Sequence, residues 1–246
     1  DSAGTIIMEG LPINALYGWK TNGFFQNYDE IQNAALPTGI DRSQLRPGDV
    51  RYVDLNSDGK IDENDRTYLG YAFPRYTYGF TYNVKWKGID FSIMLQGVLK
   101  RENPVRGELV QPFHADYSMT MFDHQLDYWS PQNRDARWPR LGVSGSVSDT
   151  NNWGHTGSDM MLLEGAYMRI KNIQLGYTLP KKWTKKFGCE ALRIYFDTQN
   201  PLTWTKNGFV DPETTSFGNN MSGGADNSVR NYPTLRYFGG GIDLTF

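Results

Sequence analysis

Twelve consecutive residues, DLNSDGKIDEND from Asp54 to Asp65, carry the sharpest chemical signal in this 246-residue chain. Asp54, Asn56 and Asp58 alternate, so their side-chain oxygens can converge from one tight loop. Gly59 falls at the sixth position, where such a loop must turn sharply. Lys60 offers its backbone carbonyl at position 7, Ile61 is the apolar position 8, Asp62 can act through water at 9, and Asp65 closes the loop at 12. Hard oxygen donors at this spacing predict a calcium ligand set of Asp54, Asn56, Asp58, Lys60, Asp62 and Asp65. The last position is Asp where the EF-hand pattern has Glu, a shorter carboxylate that weakens or narrows the site. The flanks do not read as paired helices, so the expected role is a structural staple of a long loop. The competing reading is an acidic Asp/Asn/Gly turn without metal.

Little else in the chain could do chemistry. One cysteine, Cys189, excludes an internal disulfide framework and a cysteine-based zinc site. The three histidines, His114, His124 and His155, are too far apart in sequence to suggest a ligand cluster. Asp123 and Asp127 lie four apart, as on one helical face, and read as a solvated pair. No catalytic triad, phosphate loop or metallohydrolase motif is present, so no enzymatic activity is expected. A formal net charge of −2 gives no electrostatic case for nucleic acid.

The elements that must position such a loop read as β-strands. Tyr76 to Leu99 folds at Lys87-Gly88 into a hairpin. Trp86 then faces Ile89, Val84 faces Phe91, Tyr82 faces Ile93 and Phe80 faces Leu95, all on one side. The other side pairs Lys85 with Asp90, Asn83 with Ser92 and Thr81 with Met94. One side is apolar and aromatic, the other small and polar. A second protein sheet covers the apolar side in a soluble sandwich. In an outer-membrane barrel lipid covers it and the polar side lines a wet lumen. Runs of about ten residues, with Tyr at one end and Trp at the other, suit the barrel.

Three further strand-length segments follow. In 168–180, Ile173, Leu175, Tyr177 and Leu179 share a face. In 191–200, Leu192, Ile194 and Phe196 alternate with Arg193, Tyr195 and Asp197. In 234–246, Phe238, Gly240, Ile242, Leu244 and Phe246 alternate with Gly239, Gly241, Asp243 and Thr245. Glycines and Asp243 are awkward between two soluble layers and natural beside water. Aromatics make up 14% of residues and no apolar run approaches the length of a membrane helix, which fits β structure and leaves a barrel open. Residues 100–161 and the Gly/Asn/Ser-rich 206–230 read as long loops. Trp129, Trp138 and Trp153 in the first are read as packing residues or as exposed contacts for a partner.

Several strings, taken together and in order, resemble one family. They are PGDVRYVDLNSDGKIDENDR (47–66), PRYTYGFTYNVKWKGIDFSIMLQGV (74–98), DYWSPQNRDARWPRL (127–141), AYMRIKNIQLGYTLP (166–180) and the last strand ending in Phe246. They are similar to the C-terminal portion of SusC/RagA-type TonB-dependent outer-membrane transporters. The resemblance implies an all-β fold: the C-terminal strands of a large antiparallel transmembrane barrel with long extracellular loops. Residues 1–246 would be barrel, with 54–65 a calcium-type loop inside an extracellular loop. It implies a nutrient importer of glycans or oligopeptides in the outer membrane of a Gram-negative, Bacteroidetes-type cell. Its partners would be a SusD-like surface lipoprotein, TonB through an N-terminal part that includes the plug, the remaining barrel segment and lipid. Five or so strands cannot close a barrel of about 22, so the chain is expected to be a segment of a longer polypeptide or to be completed by others. The alternatives are a soluble β-rich carbohydrate-binding module with a structural calcium loop and, more distantly, a glycosidase whose two carboxylates sequence cannot place.

Overall fold

The computed structural model describes residues 4–105, 107–113, 120–155, 157–213 and 232–246. They fall into two compact units, one drawn mainly from 4–73 and 102–163, the other from 74–101, 164–213 and 233–246.

The second unit is built on five long strands: β1 (Thr77–Trp86), β2 (Ile89–Val98), β3 (Tyr167–Thr178), β4 (Ala191–Gln199) and β5 (Tyr237–Thr245). Each pairs antiparallel with its neighbour in sequence, giving the order β1-β2-β3-β4-β5. A short strand, Thr203–Thr205, extends the ladder beside Tyr167–Arg169. The hairpin register is the expected one, from Thr77 opposite Val98 to Trp86 opposite Ile89. Lys87 (φ 48°) and Gly88 (φ 87°) both have positive φ, the geometry that matches a two-residue turn to the twist of its strands. At that end the connections are short, 87–88 and 179–190. At the other end they are long, 99–166 and 200–236.

The apolar side chains continue in register across the sheet. One row runs Val84, Phe91, Leu175, Phe196 and Gly240, and the next Trp86, Ile89, Tyr177, Ile194 and Ile242. Among the described residues no second layer covers them: Phe80, Trp86, Leu175, Phe196 and Ile242 are all exposed, Trp86 at 63%. A bulge between Ile170 and Asn172 keeps this face continuous. One extra residue, Lys171, lets both Ile170 (opposite Leu95) and Ile173 (opposite Ile93) stay on it. The strand alternation anticipated Ile173 to Leu179 on one face, but not this reset. Among the described residues the sheet is open, with β1 and β5 at its edges.

The first unit is made of short strands and turns. Thr5–Ile6, Ala15–Trp19 and Arg66–Tyr71 form one small sheet, and Thr21–Phe24 pairs with Val50–Tyr52. The helix Tyr28–Asn33 starts where the Asn27 side chain accepts the Glu30 N–H, and buries Ile31. A second helix, Val147–Trp153, starts at Ser146, whose hydroxyl accepts the Asp149 N–H. Apolar burial includes a cluster of Val50, Tyr52, Ile61 and Met160 and another of Phe25, Ile31 and Leu45. The described part of 100–161 is therefore no structureless loop. Trp129 and Trp138 are buried in it, Trp138 donating its indole N–H to the His124 carbonyl at 2.9 Å, so packing is their role.

Candidate functional site

The Asp54–Asp65 loop is folded around its own backbone. Gly59 sits at φ 86° and Ser57 at φ 62°. The Asp54 carboxylate accepts the N–H of Asp58 (3.3 Å) and of Gly59 (2.8 Å), and Asn56 accepts that of Asp58 (3.0 Å). Asp58 accepts from Lys60, and Asp62 from Asn64. Asp65 is fully buried. One of its oxygens accepts the N–H of Leu55 and the other that of Asp62, closing the two ends of the loop. The side chains of Asp54, Asn56 and Asp58 thus gather at one turn while Asp65 holds the base. Among the described residues no three His, Cys, Asp or Glu side chains converge as a metal-ligand set. The loop is anchored sideways by the Trp19 indole, which donates to the Asp62 carbonyl at 2.9 Å.

Behind it lies a polar hub that sequence reasoning passed over. Asp49 is fully buried, and its carboxylate accepts from the Arg46 N–H (2.8 Å), the Arg140 guanidinium (2.8 Å), the Ser148 hydroxyl (2.7 Å) and Asn152 (3.2 Å). Asn152 accepts the Val50 N–H, and Asn151 donates to the Val50 carbonyl. The hub staples 46–52 to the 147–153 helix. Asp49 and Arg140 both lie in strings already singled out, but nothing in their spacing says that they meet.

Among the described residues the histidines form no ligand cluster. His124 contacts the Leu109 carbonyl at 2.7 Å, and His114 lies outside the described residues. His155 packs between the rings of Trp19 and Tyr52, with centroids 5.0 and 5.1 Å away. Its Nε2 is buried without a hydrogen-bond partner, and burial holds the imidazole below its ordinary range against the pull of Glu63. Burial likewise pushes the Tyr52 phenol well above its ordinary range, Asp159 adding to the effect. Asp123 opens a 3-10 turn over 123–126, whereas Asp127 accepts the Arg137 N–H at 3.1 Å, so the two do not act as a pair.

The polar face of the five-stranded sheet is the other concentration of functional groups. Near the short turns it borders a concavity of about 610 Å³ lined by Asn83, Lys85, Asp90, Ser92, Gln174 and Arg193. Arg193 donates to Asp90 at 2.6 Å and to Asp243 at 3.0 Å, joining β2, β4 and β5. At the long-connection end, Arg169 of β3 binds Asp211 (2.7 Å) and Glu213, Lys171 binds Glu213 (3.0 Å), and the Tyr167 hydroxyl donates to Glu213 (3.3 Å). Nothing here pairs a nucleophile with a base. The arrangement offers hydrogen-bond donors and acceptors of both charges to polar solutes.

No family model matches the chain. Over 247 residues it is 27% identical to TonB-dependent receptor P3 of Formosa agariphila, covering 98% of this chain and 23% of that protein. Its identity to TonB-dependent receptor SusC of Bacteroides thetaiotaomicron is also 27%, over 93% of this chain and 20% of the relative. In fold it is similar, over its whole length, to 24% of a chain in the RagAB peptide transporter, with a TM-score of 0.64 and 21% identity. The RagAB peptide importer in its open-open state gives 0.62 and 20%. The chain is thus similar throughout to a portion of SusC/RagA-type TonB-dependent transporters, and spans about a fifth to a quarter of the length of these relatives.

Proposed function

We propose that this chain supplies C-terminal wall strands of a TonB-dependent importer in the outer membrane. The observation that carries this reading is the sheet itself. Five strands of nine to twelve residues present a continuous apolar, aromatic face that none of the described residues covers, and a polar face with Arg193, Asp90 and Gln174. Such a sheet is stable where hydrocarbon meets one side and water the other. Short connections at one end and long ones at the other fit the periplasmic and extracellular ends of such barrels. Further strands of a longer protein would pair with β1 and β5, since lipid does not tolerate open edges. The likeness to SusC and to a RagAB chain supports nutrient import, with glycans or oligopeptides as cargo, a SusD-like surface lipoprotein as partner and TonB as the source of work. No catalytic step is assigned. A soluble carbohydrate-binding module is disfavoured, because it would leave the Phe80 to Trp86 face bare in water.

The test uses the full-length protein. It should fractionate with the outer membrane, need detergent for extraction, run as a heat-modifiable band, and support TonB-dependent uptake of labelled oligosaccharide or oligopeptide. A detergent-free monodisperse monomer would sink the reading.

The Asp54–Asp65 loop is proposed to take a structural calcium ion. The support is the turn at Gly59, which brings Asp54, Asn56 and Asp58 together with lone pairs to spare, and the Asp65 carboxylate held at the base. The calcium would stiffen the loop and take no part in import.

A further inference from the structure

The short-connection end of the sheet carries a sharp concentration of positive charge. Residues 87–88 and 179–190 hold five lysines, Lys87, Lys181, Lys182, Lys185 and Lys186, against one acid, Glu190, in a chain whose formal charge is −2. The polar-face charges next to them cancel, Lys85 and Arg193 against Asp90 and Asp243. The four lysines of 179–190 are exposed, and Lys181 reaches Glu190 loosely, at 3.9 Å. Lys181 and Lys182 recur four residues on as Lys185 and Lys186, a spacing at which like charges in a helical turn repel. Stability of the turn alone does not favour that pattern.

The fold holds these lysines at one level. The Leu179 N–H donates to the Leu192 carbonyl at 2.9 Å, and the Glu190 N–H to the Thr245 carbonyl at 2.7 Å. Between them run the helical turn Lys181–Thr184 and the 3-10 turn Lys185–Phe187. Thr184 is buried, and its carbonyl accepts the Cys189 N–H. Thr178 donates to the Gly88 carbonyl at 2.7 Å, which sets the Trp86-Lys87 corner beside the connection. The connection is thus flanked by described wall on both sides, the β1–β2 turn and the end of β5. The apolar face ends at the same level. Its last rows are Trp86, Ile89, Tyr177, Ile194 and Ile242, then Leu192 opposite Leu244. In the connection beyond them Trp183 is 54% exposed, and the Lys87 ammonium lies 4.8 Å from the centroid of the Trp86 ring. Apolar rows, then indole, then ammonium is the order of polarity met on leaving a bilayer.

We propose that this end docks on anionic phospholipid headgroups of the periplasmic leaflet, the lysines pairing with phosphate oxygens while Trp86 and Trp183 sit at the headgroup level. The surface rests on the importer reading, which puts the short connections at the periplasmic end. An ammonium is a compact charge on a flexible stem, so it follows a mobile headgroup without a built cavity. Each lysine near a negative lipid surface adds about fivefold in affinity. Charge gathered at one level beside the last apolar row favours a flat anionic surface over a soluble ligand.

The experiment titrates the full-length protein in detergent micelles with phosphatidylglycerol, with phosphatidylcholine of the same chains, and with soluble glycerophosphoglycerol, and reads bound ligand by native mass spectrometry. The wild type should prefer phosphatidylglycerol to phosphatidylcholine by about tenfold or more and bind glycerophosphoglycerol far more weakly. Lys182→Gln with Lys186→Gln should weaken phosphatidylglycerol by about twentyfold and leave phosphatidylcholine unchanged. Arg75→Gln with Lys100→Gln removes the same charge from two exposed residues at the long-connection end and should alter neither. Folding of each variant is read from its heat-modifiable band. Equal binding of the two lipids by the wild type, equal losses in the two double variants, or glycerophosphoglycerol bound as tightly as the lipid overturns the surface while import stands. So does a Lys182/Lys186 variant that keeps its lipid and loses uptake, which would give the surface to a protein partner. A wild-type protein that is monodisperse without detergent overturns the importer reading and the surface together.

Discussion

Arg193 on β4 reaches Asp90 on β2 at 2.6 Å by crossing directly over Gly176 of β3. A Cβ at Gly176 would lie 2.5 Å from the Asp90 carboxylate and 2.6 Å from the guanidinium. The glycine is there because an ion pair occupies its side-chain space. Gly176→Val should split the pair and strain the ladder. Overpacking of this kind costs about 1–3 kcal/mol. The temperature at which the folded band of the full-length protein is lost should fall, while Gly142→Val, in a looser site, should leave it unchanged.

Neighbouring residues on β3 should answer oppositely to charge. Ile173 belongs to the apolar rows and Gln174 to the polar face. On the proposal that lipid meets the apolar face, Ile173→Arg near mid-strand should cost about 2–4 kcal/mol and deplete the protein from the membrane fraction, while Gln174→Arg should assemble. Equal depletion of both variants in membrane fractions would contradict the assignment of faces.

Asp49 supports the first unit from its centre. Asp49→Ala leaves Arg140, Ser148 and Asn152 without their shared acceptor. Breaking a buried pair by removing one partner costs about 3–5 kcal/mol. Limited proteolysis should cut between 46 and 153 far faster in the variant, and Leu55→Ala should serve as an unaffected control.

Acid should loosen the same unit through His155. Its folded imidazole is held below the ordinary value, so the unfolded chain takes up the proton first. The stability tied to the neutral ring is whole above about pH 6.5 and is lost as pH falls through the lower, folded value. Hydrogen exchange around Trp19 and Tyr52 should accelerate over that window, and His155→Phe should flatten the response.

For the acidic loop, chelation of calcium should raise protease sensitivity between Asp54 and Asp65, and added calcium should restore protection. Asp58→Ala should remove the effect of both. Identical cleavage with and without chelator, and no ion in metal analysis, would leave the loop a hydrogen-bonded turn alone.

Strand pairing and facing were legible because alternation and one tight turn determine them locally: Tyr76 to Leu99 has one register that puts every aromatic on one side. The bulge at Lys171 was not, since one inserted residue changes no composition and shows only as a break in the spacing of Ile170 and Ile173. The hubs at Asp49 and Arg169 were hidden for another reason. Asp49 meets a helix about a hundred residues away, and Arg169 meets acids more than forty away. Single-sequence periodicity carries no information about such encounters.

The excursion between β2 and β3 is closed at its neck: Val105 donates to the Met161 carbonyl and Gly165 to that of Arg101, both at 2.8 Å. Because Gly165 is tied to Arg101 just before the ladder begins, the connection between β2 and β3 can change in length without shifting Val98 from Tyr167.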